Sequence, residues 1–409
     1  MGDTFRVAVR KFTPFEVAIR QQWDDFRAES GTTLALEAVP LDLNPLAETL
    51  FAEGGLRDGT WDVAFVVTDW LAEAVAAGAL ADLGPMLRSD PLIDYPDGWS
   101  PSLTGMQRFG DAVVGLPYHD GPECLVYRAD RFADPAEQRA FRARFGYDLA
   151  VPTTWPQFED VARHFTRPAA GEWGTIFAAY PDGHNSVYDF CLHVWSRGGE
   201  LERDGVPTLD TPQAVAGLDF LRRAIGDRGM TPPGQEAIDS VAAGQRFAAG
   251  GVAMMVNWFG FAAVCEQPGC AVKGRVGVAP VPAGDGAGGR RGSLNVYWLL
   301  AVAAGSRHAD IATAFVRHCA TPEMDLLTTM AGGIGCRRST WDDPEVNALI
   351  PFARDLRTLH AEARTLPRSA ALPSLVRIID GAVQAAITGE TPSADLLRTA
   401  QAEAAGLRL

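Results

Sequence analysis

Lysine is almost missing from this 409-residue chain, occurring only at Lys11 and Lys273, so arginine carries nearly all the positive charge. Acids outnumber bases and the formal net charge is −15, a field that repels phosphate backbones and anionic lipid surfaces unless a local basic patch overrides it. No such patch is present, which argues against nucleic-acid partners. Long apolar runs are missing as well. The stretch Leu294 to Gly305 falls well short of the roughly 20 residues that span a bilayer, and the stretch Asp62 to Leu83 is interrupted by Asp69 and Glu73. Six cysteines (Cys124, Cys191, Cys265, Cys270, Cys319, Cys336) are too few for a disulfide framework, and no CxxC pair suggests a zinc ribbon or a thioredoxin-type site. Cys265 and Cys270 are close enough for a small local disulfide, two buried thiols being the alternative. GxxxxGK[ST], HExxH and GxSxG are all absent. The seven histidines show no metal-ligand spacing, so no metal is assigned.

The length predicts two or three packed units. Hydrophobic residues at 47%, charged at 21% and aromatic at 9% describe an ordinary globular protein and exclude disordered and collagenous chains. The amino terminus runs from Met1-Gly2 into charged sequence without an apolar h-region. Either the protein is cytoplasmic, or a signal was removed and Met1-Gly2 is an added start.

Strand and helix signals alternate along the first eighty residues. Phe5 to Val9 reads as a strand, and Phe15, Ile19, Trp23 and Phe26 form one apolar helical stripe that Gly31 stops. Leu34 to Ala38 and Trp61 to Val67 read as further strands. This βαβαβ rhythm implies parallel strands with right-handed crossovers, the α/β class. Farther on, Thr154-Trp-Pro-Gln157 makes a capping box ahead of a second stripe, and Thr211-Pro212 opens another helix. Short strands fit Cys124 to Arg128, Val252 to Val256, Arg275 to Ala279 and Val296 to Val302. Helices are expected from Ser306, Pro344, Ser374 and Ser393.

Gly284, Gly286 and Gly289 match GxGxxG in form only. A dinucleotide site needs a helix after the glycines, whereas Arg290-Arg291-Gly292 leads into a β-type run. No cofactor is expected. More informative is the placement of rare polar residues. Lys11 follows the first strand, Asn257 adjoins Trp258, Asn295 adjoins Tyr297-Trp298, and Asn185 lies just before Tyr188. Ligands of open α/β sheets bind outside the carboxyl ends of the strands, where such positions fall. A pyranose offers C–H faces that stack on Trp or Tyr and a hydroxyl rim that needs charged or amide partners. Trp70, Tyr188, Trp258 and Trp298 can supply faces, and Asp69, Asp120, Asn257 and Asn295 can supply the rim, while Trp173, Trp195 and Trp341 read as packing.

Several segments in sequence carry a family resemblance: Asp62-Val-Ala-Phe-Val-Val-Thr-Asp69-Trp70, Ala77-Gly-Ala-Leu-Ala-Asp-Leu83, Val114-Gly-Leu-Pro-Tyr118, Pro152-Thr-Thr-Trp155, Trp195-Ser-Arg-Gly-Gly-Glu200, Phe247-Ala-Ala-Gly-Gly-Val-Ala-Met254 and Val276-Gly-Val-Ala-Pro-Val-Pro282. In this order they resemble the family-1 extracellular solute-binding proteins of ABC transporters, the group that includes maltose-binding protein, and they cover nearly the whole chain. The resemblance implies a type II two-lobed periplasmic-binding-protein fold, each lobe a mixed or parallel sheet flanked by helices. Lobe 1 would comprise 1–117 plus 280–303 and lobe 2 118–279 plus 304–409, with a small carbohydrate held between them and closure signalling to a permease.

Carried over residue by residue, Asp69 matches the acidic acceptor of sugar hydroxyls, Lys11 a ligand-contacting turn, and Tyr188 a stacking aromatic. His119 falls at the first expected crossing, Leu116 to His119, and Asp120 follows it. Val66 stands where maltose binders carry a stacking Trp, Trp258 is displaced by two residues, Asn295-Val296 replaces Gly-Gly, and no aromatic occurs near Leu372, all of which disfavours a linear maltodextrin. Lys11 and Arg337, the latter in Gly332-Gly-Ile-Gly-Cys-Arg337, leave an anionic sugar open beside a neutral one. The expected protein is a monomeric, non-enzymatic binder outside the cytoplasm. Its alternatives are a glycosidase using Asp69 with Asp120 or Glu123 and a sugar sensor without a transporter.

Overall fold

The opening alternation forms a strand, Thr4–Arg10, and the apolar stripe after it forms the helix Thr13–Ser30, in a computed structural model that describes residues 4–409; the expectation for Met1-Gly2 lies outside those residues. Pro14 sits in the helix's first turn. Gly31 ends it at φ 68°, its N–H donating to the Arg27 carbonyl, a left-handed stop that costs glycine little. Trp23 is packing: its ring stacks on Phe5 with centroids 4.5 Å apart.

Two compact units divide the chain. The first comprises the described residues up to Gly121 together with Val296–Ala348, and the second comprises Pro122–Asn295 with Leu349–Leu409. These bounds differ from the expected lobes at 118–121, 280–295 and 304–348. The helix Ala309–Cys319 stays with the first unit because Phe315 fills the space between Trp23 and Phe26, at 5.0 and 5.4 Å. The next helix, Pro322–Met330, is tied to the opening helix by Gln22, whose Nε2 donates to the Met324 carbonyl and to Thr328 Oγ1. Residues 280–295 stay with the second unit because Leu294 pairs with Glu123.

The first unit's sheet runs in the order Ala35–Leu41, Thr4–Arg10, Val63–Val67, Trp298–Val302, Leu116–His119. The first three strands are parallel, as the βαβαβ rhythm requires. Trp298–Val302 is antiparallel to both neighbours, with Trp298 opposite Val67 on one side and His119 on the other. Val63–Val67 is wholly buried, which accounts for its unbroken apolar sequence.

The second unit's sheet runs Ala363–Arg364, Ser293–Leu294, Glu123–Arg128, Val252–Trp258, Trp173–Ile176, with Val276–Ala279 also pairing with Glu123–Arg128. Glu123 stands opposite Trp258 in an antiparallel register. The capping box at Thr154 is present and opens the helix Trp155–Phe165. That helix presses so closely on Trp173–Ile176 that a Cβ at Gly174 would stand 1.8 Å from the Ala162 carbonyl oxygen, so only glycine fits. The glycine run at 284–289 leads to the strand Ser293–Leu294 and not to a helix. Among the described residues no helix is long and apolar enough to cross a membrane, and the six cysteines are free thiols.

Candidate functional site

In the first unit, register alone gathers candidates at one end of the sheet. Thr4–Arg10, Val63–Val67 and Leu116–His119 all finish at that end, and the antiparallel strand begins there with Trp298. Beyond Val67 the chain turns through Thr68–Trp70. Thr68 and Tyr297 exchange hydrogen bonds, Thr68 N–H to the Tyr297 carbonyl at 3.1 Å and Tyr297 N–H to Thr68 Oγ1 at 3.3 Å. The turn is thereby fixed to the neighbouring strand. Trp70 meets Trp298 edge-on, centroids 5.9 Å apart at 89°, and meets Phe51 at 5.7 Å. Asp69, Trp70 and Trp298 are each half-buried, so rings and a carboxylate are offered together.

His119 lies against Phe15, centroids 4.6 Å apart. Its Nδ1 accepts the Ile334 N–H at 2.9 Å, and the next residue's N–H, that of Asp120, donates to the Ile334 carbonyl. Burial pulls the imidazole down to a pKa of about 4. At neutral pH it is uncharged, with Nδ1 used and Nε2 carrying the proton as a donor. Asp120 itself is buried.

Three other candidates in this unit have structural partners. Tyr297 is buried and its hydroxyl donates to the Leu103 carbonyl at 2.7 Å. Arg337 is buried, donates to the carbonyls of Ala320 and Ile93, and stacks its guanidinium 4.0 Å from the Trp99 ring. Lys11 is exposed and pairs with Asp42 at 3.1 Å. Both cations that left an anionic sugar open are therefore occupied, Lys11 by a carboxylate and Arg337 by carbonyls and a ring. Asp25, Glu29 and His318 bring ligand atoms within 4.8 Å of one another. Each imidazole nitrogen there faces its own carboxylate, at 3.3 and 3.4 Å, which ties two helices together.

The second unit gathers Asn185, Tyr188, Asn257, Trp258 and Asn295 at the matching end of its sheet. Trp258 closes the strand Val252–Trp258 and is half-buried. Asn257, fully buried, holds it in place: its Nδ2 donates to the Ser240 carbonyl while its Oδ1 accepts the Trp258 N–H at 2.8 Å. Asn257 therefore positions the ring. Asn185, at the start of the helix Asn185–Ser196, accepts the Trp258 indole N–H at 3.5 Å through Oδ1 and donates to Glu123 Oε1 at 3.3 Å. Tyr188 meets Trp258 edge-on with centroids 5.6 Å apart. Asn295 is buried, and its N–H donates to the Arg364 carbonyl.

Two members of this cluster escaped the sequence reading. Glu123 entered it only as a possible glycosidase acid, and Asp189 did not enter it at all. The available signal was an acid opening an otherwise apolar strand, behind Gly121-Pro122. Glu123 belongs to the second unit, while Asp69 and Asp120 belong to the first.

Comparisons with known proteins agree with this architecture. The family model described as bacterial extracellular solute-binding protein matches residues 18–325. A probable ABC transporter-binding protein of Deinococcus radiodurans is 23% identical over 400 residues, 94% of this chain and 89% of that protein. The maltose-bound structure of T. maritima MalE3 superposes with a TM-score of 0.84 at 24% identity, covering 98% of this chain and 99% of that one. An ABC transporter solute-binding protein of Agrobacterium radiobacter K84 in complex with ribitol also gives 0.84, at 23% identity and 98% coverage of both chains.

Proposed function

Because the chain belongs to the bacterial extracellular solute-binding protein family, we propose that it is the substrate-binding component of an ABC importer and captures a small neutral carbohydrate or polyol. It acts outside the cytoplasm as a monomer, hands its solute to a membrane permease, and releases it chemically unchanged. The observation that carries this reading is the pairing of half-buried rings with acids and amides at the sheet end of each unit: Trp70 and Trp298 beside Asp69, and Trp258 beside Tyr188 and Asn185. Rings take the C–H faces of a sugar or polyol, and the polar groups take its hydroxyls.

Two structures of the same fold are bound to maltose and to ribitol, which supports a neutral saccharide or polyol as the solute. The occupied partners of Lys11 and Arg337 favour a neutral solute over an anionic one. A dissociation constant near 1 µM corresponds to about −8 kcal/mol, within reach of a few stacking contacts and charge-assisted hydrogen bonds. A thermal-shift screen over monosaccharides, disaccharides, polyols and sugar acids tests the proposal. At least one neutral member should raise the melting temperature in a concentration-dependent way, and a flat response across all classes would contradict it.

A further inference from the structure

Glu123 opens a strand whose next three residues, Cys124, Leu125 and Val126, are fully buried and apolar, and Glu123 is itself 0% exposed. Its Oε1 accepts the Asn185 amide at 3.3 Å. Its Oε2 is buried and has no hydrogen-bond partner among the described residues. Leaving such an oxygen unpaired forfeits the hydrogen bond that water would give it, so a buried acid at this position calls for a partner supplied from elsewhere.

The surroundings define that partner. Asp189, one turn beyond Asn185 on the same helix, is a second buried carboxyl, and neither acid forms an ion pair among the described residues. Burial and the neighbouring Asp189 hold the Glu123 carboxyl well above its ordinary 4.5, and burial raises Asp189 too. With Oε1 serving as acceptor to Asn185, the proton of the neutral acid belongs on Oε2. Glu123 also stands directly opposite Trp258 in the sheet, and Asn185 binds both side chains. Asp182 and His184 precede Asn185, the imidazole Nδ1 lying 2.7 Å from the Asp182 carbonyl oxygen, and the Ser186 hydroxyl donates to Asp380. His184 meets Tyr188 at 5.8 Å between centroids.

We propose that Glu123 contacts the solute and sets specificity, donating a hydrogen bond from Oε2 to a hydroxyl or ether oxygen of a neutral saccharide or polyol seated against Trp258. The inference rests on the solute-binding reading and narrows its ligand class, because the carboxylate of a sugar acid seated there would lose water with no cation among Glu123, Asp189, Asn185, Tyr188 and Trp258 to pair with it. A glutamine is the isostere of the neutral acid. Its carbonyl takes the Asn185 N–H and its amide donates in place of Oε2, whereas leucine does neither.

The test is isothermal titration of wild type, E123Q and E123L with pentitols, hexitols, mono- and disaccharides and the matching aldonates, with circular dichroism melts alongside. For the tightest neutral binder, E123L should lose more than tenfold in affinity and E123Q less than threefold. The matching aldonate should bind wild type at least tenfold more weakly. A loss below tenfold in E123L, an E123Q closer to E123L than to wild type, or an aldonate that binds as well as its polyol overturns the role of Glu123 and leaves the solute-binding reading intact. Should E123L fail to fold, E123Q and the aldonate comparison decide. Wild type that binds no member of the panel overturns the reading and this role together.

Discussion

Tyr188 and Trp258 meet edge to face, their planes at 85° and their centroids 5.6 Å apart, so a side chain on a helix supports the ring that closes a strand. Three contacts fix that ring: the Tyr188 edge, the Asn185 carbonyl on the indole N–H, and the Asn257 carbonyl on the backbone N–H. A ring so held is ordered before any solute arrives, which lowers the entropy cost of binding. Trp258→Ala should weaken the best neutral ligand more than tenfold while leaving the ligand-free melting curve close to wild type. Titration calorimetry and circular dichroism on the same preparation check both halves.

Asp69 makes the corresponding prediction for the first unit. It sits on the turn pinned by Thr68 and Tyr297, next to the Trp70–Trp298 pair. Removing a carboxylate that accepts sugar hydroxyls loses charge-assisted hydrogen bonds of about 1.5–3 kcal/mol each. Asp69→Ala should therefore raise the dissociation constant more than tenfold without unfolding the protein. Normal binding by both this variant and Trp258→Ala would place the site elsewhere.

Arg337 should behave in the opposite manner. Its guanidinium is spent on the Ala320 and Ile93 carbonyls and the Trp99 face, and its backbone N–H and that of Cys336 donate to Asp325. Arg337→Ala leaves those carbonyls and a buried ring without their partner, a cost of about 2–4 kcal/mol. The midpoint of urea unfolding should fall accordingly, while folded protein keeps wild-type solute selectivity.

Acid burial at Glu123 and Asp189 predicts a pH dependence of stability. Both folded-state values lie above the unfolded ones, so the native state holds protons that the unfolded state gives up. Stability contributed by the neutral acids is present below the ordinary carboxylate range and is lost as pH rises above it. E123Q removes one titrating group. It should match wild type near pH 4 and become progressively more stable than wild type toward pH 8, as followed by urea denaturation across that range.

Much of the fold was legible in the chain because periodicity reports burial directly. The stripe from Phe15 to Phe26, the capping box at Thr154 and the apolar run at 63–67 each predict the element that forms. The two-lobe class followed from the order of family-like segments, and the family match supports it. Unit boundaries were less legible, since what keeps residues 304–348 with the first unit is Phe315 against Trp23 and Gln22 against Thr328, contacts between segments nearly 300 positions apart. At the candidate site, residue type and position beside a strand end picked out Asn185, Tyr188 and Trp258, which do meet. The same reasoning selected Tyr297 and Arg337, whose polar groups turn to backbone carbonyls. It passed over Asp189, because an acid inside an apolar helix looks like any other until its neighbours are known.

The most direct measurement is titration of the wild-type protein with neutral polyols and saccharides, followed by chromatographic analysis of the recovered solute. Saturable binding of at least one of them is expected, with a dissociation constant on the order of 1 µM, and solute returned intact. No binding in any neutral class, or conversion of solute to product that disappears in Asp69→Asn, would contradict it.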